Sequence, residues 1–217
     1  MRFVVTAGPT REHLDPVRFL SNPSTGKMGF AVARAAARRG HEVSLVAGPV
    51  SLRTPKGVRR IDVTSAREML AAVERELARG PRPAVFVSTA AVADWRPARC
   101  SAEKLKKGRM SGTLRLARNP DILKTVARYA GKDLVAVGFA AETNDVLAEA
   151  RRKCREKNLD MIVANDVSEK GSGFGTDTNR VTFVRRDGTS VGLPLMPKSA
   201  VATRIVKEIE RIPPRIS

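Results

Sequence analysis

Short apolar runs alternate with amphipathic stretches of helical length along most of this chain. The run Phe3-Val4-Val5 predicts a buried strand, and the Ala-rich segment between Gly29 and Gly40 predicts a helix. Such alternation is typical of right-handed crossover units, so we expect an α/β fold: a doubly wound, Rossmann-like parallel sheet with helices on both faces. The predicted strands are Arg2–Thr6, Glu42–Ala47, Arg59–Val63, Ala84–Ser88, Leu134–Gly138 and Met161–Ala164, and the predicted helices are Gly26–Arg39, Ala66–Arg79, Pro120–Tyr129, Asp145–Lys157 and Lys198–Arg211.

Two regions interrupt this alternation. Residues 96–112 carry a cluster of lysines with two glycines and little apolar content, which predicts either a basic flap over the sheet or a solvated charged face. Near the C-terminus, Asp187-Gly188 is a strong turn signal between two strand-like runs, so residues 181–195 are predicted to form a β-hairpin. A hairpin cannot enter a parallel sheet as a crossover unit, so we expect it to project and propose dimerisation as its role.

Composition limits the classes of protein to which the chain can belong. Its 217 residues with 42% hydrophobic and 29% charged content are typical of a folded domain. The two cysteines, Cys100 and Cys154, form no metal or redox motif. No apolar run approaches the ~20 residues of a membrane span, and the N-terminus enters a strand without a signal peptide. We therefore expect a soluble, cytoplasmic protein with no membrane partner.

The formal net charge of +18 has three possible explanations. Arginine-rich solvated helix faces account for most of it, a polyanionic small ligand would need only a few of the charges, and nucleic acid is the third possibility. Basic residues are spread along the whole chain and aromatic residues make up only 4%, so few side chains could stack on bases. These two observations argue against a nucleic-acid partner.

The stretch Ser21–Gly29 lies where the first long helix begins, and a helix start attracts anions through its unpaired N–H groups. Within it, Asn22 is either the helix N-cap or a donor aimed at a developing oxyanion. Lys27 is either a surface lysine or a ligand for phosphate. The pattern of a P-loop does not occur here, and the glycine fingerprint of dinucleotide-binding enzymes is missing from Gly8–Glu12.

Other candidate residues follow later strands. Asp94 could accept a hydrogen bond from a ribose hydroxyl, hold Mg²⁺ through water or cap a helix. Phe139 could stack on a base or belong to the core. Lys153 and Lys157 lie one helical turn apart and either meet phosphates or remain solvated. With only His13 and His41 as histidines, any chemistry must be electrostatic, as in nucleotidyl transfer.

These segments, taken together and in this order, resemble one family, the phosphopantothenate–cysteine ligases of coenzyme A biosynthesis, in their bacterial CTP-dependent form. In bacteria such a ligase is commonly the C-terminal half of a fusion with a flavin-dependent decarboxylase. The resemblance implies a single ligase domain over residues 1–217, either free-standing or part of such a fusion. The matching segments are TAGPTRE, DPVRFLSN, STGKMG, AGPVSL, AAVADWRP, EKLKK, NPDIL, GFAAET, KNLDMIVANDV and GFGTDTNRVT.

The resemblance also implies a reaction and a set of site residues. CTP activates the carboxylate of 4′-phosphopantothenate as an acyl-cytidylate, with Mg²⁺ on the phosphates, and L-cysteine then forms the amide. Lys104 matches the lysine that supports the first step, Asn22 matches the asparagine of the second, and Arg18 aligns with an arginine beside it. A homodimer is implied as well. The implied CTP site is lined by Ser88, Thr89, Ala90, Asp94, Lys104, Pro120, Asp121, Ile122, Leu123, Phe139, Lys153 and Lys157.

Two other functions remain as alternatives at this point. An NAD(P)-binding oxidoreductase would use the same type of sheet, but the acid expected after its second strand is replaced by Ala47-Gly48-Pro49. A basic nucleic-acid-binding protein would show affinity that falls steeply with salt.

Overall fold

The computed structural model describes residues 1–80, 83–106, 112–128, 133–142, 144–166, 168–169, 171–173 and 175–213. Its helices are α1 (Lys27–Arg38), α2 (Ala66–Ala78), α3 (Ile122–Arg128), α4 (Val146–Glu156) and α5 (Lys198–Ile209). The strands of its main sheet are β1 (Arg2–Ala7), β4 (Glu42–Ala47), β5 (Val58–Asp62), β6 (Ala84–Ser88), β9 (Leu134–Glu142), β10 (Met161–Asp166), β12 (Val181–Arg185) and β13 (Ser190–Gly192). Three small ribbons contain β2 (Arg11–His13) with β3 (Phe19–Ser21), β7 (Trp95–Pro97) with β8 (Leu116–Arg118), and β11 (Thr178–Asn179) with β14 (Met196–Pro197).

The main sheet has the order β13-β12-β10-β9-β6-β1-β4-β5, and its strands from β10 to β5 are parallel. Helices cover both faces. The helices α1 and α5 pack on one face over Phe3 and Val5, whereas α2, α3 and α4 pack on the other over Val4 and Phe86. This division arises because successive side chains of a strand point to opposite faces of the sheet. The predicted doubly wound α/β fold is confirmed.

The C-terminal hairpin does not project, so that expectation is wrong. Strand β12 pairs antiparallel with β10, with Ile162 opposite Val184, and continues the sheet. Phe183 and Val184 are buried on opposite faces of the sheet, which gives the strand a place in both cores. A hairpin strand can join the edge of a sheet in antiparallel orientation without a crossover connection.

The predicted basic flap lies between β7 and β8. Its first residues, Arg96 and Pro97, belong to β7, and residues 98–106 follow as a described loop. Residues 107–111, which include Lys107 and Arg109, lie outside the described residues. In the part of the chain that the structure describes, no helix has the length and apolar character to cross a membrane.

Candidate functional site

Loops at the carboxyl ends of the parallel strands form two adjoining clefts. We call the first the helix cleft, because the start of α1 forms one wall; its volume is about 650 Å³, part of it open to solvent. The second, the loop cleft, lies beside α3 and has a volume of about 960 Å³, also partly open to solvent. Ala90, Ala91, Phe139 and Ala141 line both clefts, so a ligand could extend from one into the other. This edge is where open α/β sheets bind their ligands.

Two glycines bring the first turn of α1 against the ends of the strands. Gly26, the residue before the helix, has φ of 77°, a left-handed conformation that favours glycine. Gly29 is so closely packed that a methyl group there would overlap Thr89 and Ala7. The helix start therefore faces the helix cleft with its backbone N–H groups, and no side chain caps it. The interpretation of Asn22 as the helix N-cap is wrong, because Gly26 occupies that position.

Two lysines flank the helix cleft. Lys27 Nζ lies 2.7 Å from Asp177 Oδ1, which holds the pKa of that carboxyl below its usual value. Lys198 is buried, and its Nζ donates to the carbonyl oxygens of Gly173 at 2.8 Å and Thr176 at 2.7 Å. Burial lowers the pKa of Lys198, and the nearby charge of Lys27 adds to this effect. The cleft thus combines a helix N-terminus with two amines and suits an anionic group.

Asn22 contacts the wall that the two clefts share. Its Nδ2 donates to the Ala91 carbonyl oxygen at 3.2 Å. Ala91 is also bound to the loop after β1, because its N donates to Gly8 O at 3.0 Å and its carbonyl oxygen accepts from Thr10 N at 3.3 Å. Thr10 Oγ1 also accepts from Ala93 N at 3.0 Å. The loop after β6 is therefore fixed to the loop after β1, with the Asn22 amide at the junction.

The loop cleft gathers most of the predicted nucleotide site. Its floor is fixed by Asn119, which donates from Nδ2 to Ala93 O and from its backbone N to Asp94 O, both at 2.8 Å. Asp94 itself is exposed at the rim. Phe139 is half-buried, packs against the core and lines the cleft. Its predicted place beside the core is confirmed, and its stacking on a base stays a prediction. The other predicted residues that line this cleft are Ser88, Ala90, Pro120, Asp121, Ile122, Leu123 and Lys157.

An ion pair crosses the loop cleft at the start of α3. Lys157 Nζ lies 2.8 Å from Asp121 Oδ2, and Asp121 Oδ1 accepts from Lys124 N at 2.9 Å as the helix cap. Burial works to raise the pKa of Asp121, but the bonds from Lys157 and Lys124 outweigh it and leave the pKa below its usual value. Asp121 is thus the N-cap of α3. Lys157 is held in the cleft by a carboxylate that a ligand phosphate could replace.

Four predicted site residues lie elsewhere. Thr89 lines the helix cleft and donates from Oγ1 to Thr6 O at 2.5 Å. Lys153 is half-buried on α4, outside the lining of both clefts. Lys104 is exposed on the loop after β7, and Arg18 binds Asp15 and Leu105 rather than either cleft. The structure therefore unites most of the predicted nucleotide residues in the loop cleft. It places Thr89 in the helix cleft, and Lys153, Lys104 and Arg18 are outside the lining of both clefts.

Sequence reasoning missed several residues of the helix cleft. Asn165 and Asn179 are buried and both lie 2.6 Å from the hydroxyl of Ser172, and with Lys198 they form the wall opposite α1. Asn165 follows the apolar run of β10, so the same argument that selected Asp94 and Phe139 could have found it. Lys198 gave no signal beyond its place at the start of a helix.

Among the described residues, no group of three or more His, Cys, Asp or Glu side chains could hold a metal ion. Cys154 is buried, and burial raises the pKa of its thiol to about 11. The described residues therefore offer no cluster of acidic, histidine or cysteine ligands for a metal ion, and the Cys154 thiol is not activated as a thiolate.

Comparison with known proteins identifies the family. The profile of the family described as DNA/pantothenate metabolism flavoprotein, C-terminal domain, matches residues 1–212. The chain belongs to this family. The family resemblance expected from the sequence motifs is confirmed, and neither the oxidoreductase nor the nucleic-acid alternative is favoured.

Individual members of the family are closely similar to the chain. The coenzyme A biosynthesis bifunctional protein CoaBC of Escherichia coli (strain K12) is 49% identical over 212 residues, which are 96% of this chain and 51% of that protein. CoaBC of Bacillus subtilis (strain 168) is 49% identical over 207 residues, which are 95% and 50% of the two chains. The chain thus spans about half the length of the curated relatives it matches.

A solved structure of the family has the same fold. The crystal structure of the C-terminal domain of a coenzyme A biosynthesis bifunctional protein CoaBC superimposes with a TM-score of 0.81 at 43% identity. The match covers 96% of this chain and 93% of that one. The architecture described above is therefore that of the C-terminal domain of the family.

Proposed function

We propose that this chain is a phosphopantothenate–cysteine ligase, which uses CTP to join 4′-phosphopantothenate to L-cysteine. Two facts support the proposal: the similar proteins are named bifunctional proteins of coenzyme A biosynthesis, and the chain matches one half of their length. The observation that carries it is the junction of two clefts at Ala91, with the Asn22 amide bound to that residue. A two-step reaction needs such a junction, because the nucleotide and the acyl group must meet.

In the first step of the proposed reaction, a carboxylate oxygen of 4′-phosphopantothenate attacks the α-phosphorus of CTP. The bond to pyrophosphate breaks, and an acyl-cytidylate forms. We assign the cytidine to the loop cleft, with Phe139 against the base and Lys157 on the phosphates. Lys104 and Lys153 are assigned to the same phosphates, because amines offset the charge that develops during nucleotidyl transfer.

In the second step the amine of cysteine attacks the acyl carbon, the bond to CMP breaks, and the amine loses a proton. The tetrahedral intermediate carries an oxyanion. A carboxamide has two N–H donors, so the bond from Asn22 to Ala91 leaves a second donor for this oxygen. Arg18 is assigned beside Asn22 on the basis of the family resemblance.

The helix cleft suits the anionic part of the second substrate. Its backbone N–H groups, Lys27 and Lys198 lie on one side of the shared wall, opposite the proposed nucleotide. Mg²⁺ would neutralise charge on the triphosphate. Since the described residues include no cluster of acidic ligands, the phosphates would supply most of its ligands, with Asp94 binding through water.

We further propose that residues 1–217 form one ligase domain, which acts as a homodimer in the cytoplasm. Its partner would be a flavin-dependent decarboxylase domain that uses its product. The exposed edge strand β13 is available for the predicted contact between copies. Light scattering of the purified chain, with and without charged substitutions on β13, tests the dimer.

One assay tests the proposed activity. The chain is incubated with 4′-phosphopantothenate, cysteine, Mg²⁺ and each nucleoside triphosphate in turn, and the products are identified by mass spectrometry. We expect CMP, pyrophosphate and the amide in equal amounts with CTP. Absence of the amide with every nucleotide would contradict the proposal, and equal turnover with ATP would contradict the choice of CTP.

A further inference from the structure

A short loop before the flap is bound to the turn between β2 and β3. We call residues 101–106 the strap and residues 14–18 the turn. Ser101 N donates to Leu14 O at 2.8 Å. Leu105 is held at both of its backbone groups: its N–H donates to Asp15 Oδ2 at 3.2 Å, and its carbonyl accepts from Arg18 Nη2 at 2.9 Å. The ion pair between Asp15 and Arg18 therefore binds the backbone of the strap much as a neighbouring strand would.

Asp15 is the centre of this arrangement. Its side chain is fully buried, and five donors converge on it. Oδ1 accepts from the backbone N–H groups of Val17 at 2.9 Å and Arg18 at 2.8 Å. Oδ2 accepts from Nε of Arg18 at 3.0 Å, from its Nη2 and from Leu105 N. The bonds from Arg18 hold the pKa of Asp15 far below its usual value, so the carboxylate stays charged.

The bound peptide is the one that joins Lys104 to Leu105. A peptide unit is planar, so the bond from its N–H to Asp15 also fixes the direction in which the chain leaves Lys104. The next peptide unit is fixed as well, through the Leu105 carbonyl. The exposed Lys104 side chain therefore starts from a backbone whose orientation Asp15 and Arg18 determine.

The same ion pair also orders the segment that leads to Asn22. Arg18 immediately precedes β3, whose Ser21 donates from Oγ to Thr10 O at 2.8 Å, and Asn22 follows. Arg18 O in turn accepts from Leu14 N at 2.8 Å, which closes the turn. Asp15 thus holds two segments, one carrying Lys104 and the other carrying Asn22.

We propose that Asp15 is a positioning residue for both half-reactions, acting through Leu105 on Lys104 and through Arg18 on the segment of Asn22. This inference rests on the proposed ligase function. It differs from the roles assigned to Lys104 and Asn22, each of which belongs to one half-reaction.

The variant Asp15→Asn tests the inference, because it keeps the size of the side chain and removes the charge that pairs with Arg18. Pyrophosphate release is measured with CTP and 4′-phosphopantothenate but no cysteine. Amide formation is measured separately from acyl-cytidylate made beforehand. We expect both rates to fall about tenfold or more, since small displacements of catalytic groups have effects of this size. Lys104→Gln should slow only the first rate, and Asn22→Asp only the second.

A second measurement separates positioning from loss of structure. Titration with CTP should still give one site per chain in Asp15→Asn, while hydrogen exchange of the Leu105 amide and tryptic cleavage after Lys104 become faster. The control Glu210→Gln breaks another ion pair away from the clefts and should change neither rate at pH 7. The inference is wrong if both half-reactions keep wild-type rates. It is also wrong if the two rates decrease only in proportion to the fraction of chains that still bind CTP.

Arg18→Lys serves if Asp15→Asn does not fold. Lysine keeps a positive charge beside Asp15, but one amine cannot replace the fork that reaches both Asp15 and Leu105. We expect faster exchange of the Leu105 amide in this variant, and unchanged exchange would overturn the inference. These exchange measurements require no turnover, so they remain informative if wild-type chain makes no amide and the ligase proposal itself fails.

Discussion

Gly29 shows how a single residue shapes the helix cleft. Any side chain there would overlap the end of β1 at Ala7 and the Thr89 side chain. Because glycine permits this close contact, the first turn of α1 lies directly beside the loop after β6. The anion binding proposed for this cleft therefore depends on the absence of one methyl group.

We expect Gly29→Ala to destabilise the protein by about 1–3 kcal/mol, the usual cost of overpacking a tight site. It should also weaken binding of the anionic substrate, because the helix start moves away from the strand ends. Urea denaturation measures the first effect and a substrate titration the second. Gly112→Ala is the matched control for stability, since a methyl group there meets no atom within 4 Å.

Asn22 supports a second prediction at this scale. Asn22→Asp replaces a donor by an acceptor and adds negative charge near the proposed position of the oxyanion. We expect amide formation to slow by about a hundredfold, a typical effect of losing one such donor. Acyl-cytidylate should then accumulate and be seen by mass spectrometry. Lys104→Gln should show no intermediate, and undiminished pyrophosphate release from that variant would contradict the role of Lys104.

Among the elements, α2 begins with a reciprocal cap. Ser65 Oγ accepts from Glu68 N at 3.2 Å, and Glu68 Oε2 accepts from Thr64 N at 2.8 Å. Each side chain satisfies an N–H group that the helix itself cannot. The helix start is therefore fixed locally, independently of the packing of α2 on the sheet.

Replacing the cap should have a modest, measurable effect. Ser65→Ala is expected to lower the free energy of unfolding by about 1 kcal/mol. Thermal denaturation would show this as a decrease in Tm of roughly 2–4 °C for a domain of this size. Thr203→Ala, an exposed substitution inside α5, should cause no such decrease, and an unchanged Tm in Ser65→Ala would show that Glu68 alone suffices.

The elements that sequence patterns located well are the ones with strong periodicity. Strand β4 was predicted with the bounds observed, as was β6, and α2 ends one residue earlier than expected. The small ribbons were not predicted, because strands of two or three residues carry too little alternation. The place of the hairpin depended on its pairing with β10, which local sequence does not encode.

The same limit applies to the candidate site. Patterns at strand ends identified Asp94 and Phe139, because chain order alone places them at one edge of the sheet. The wall containing Asn179 and Lys198 could not be predicted, because it forms only when the last helix packs beside α1. The sequence placed Asp15 only within the matching segment DPVRFLSN, because its proposed role requires a contact with Leu105, 90 residues away.

For the whole molecule, ion pairs link distant parts of the chain despite the net charge of +18. Glu210, at the end of α5, binds Arg39 Nη2 at 2.6 Å and His41 Nε2 at 2.7 Å. The bond from Arg39, supported by His41, lowers the pKa of Glu210 from 4.5 to about 2. Residues that follow α1 are thereby tied to the C-terminal helix.

The contacts of Glu210 predict how the free energy of unfolding depends on pH. Because the pKa of Glu210 is lower in the folded chain, its contribution is complete above about pH 4.5 and is lost as the pH falls towards 2. Urea midpoints measured from pH 7 to pH 2 should therefore decrease over this range. Glu210→Gln should be less stable at pH 7 and show a shallower decrease; parallel curves for the two proteins would contradict the assignment.

The position of Lys198 in the helix cleft has a consequence for biosynthesis. One wall of that cleft is made by residues 24–29 and the other by Asn179 and Lys198, so about 150 residues must be added between the two walls. Before α5 has been synthesised, the chain lacks the second wall and cannot enclose an anion. Because α5 also contributes Val201, Ile205 and Ile209 to the core on one face of the sheet, we expect the helix cleft to close only after the last helix has left the ribosome.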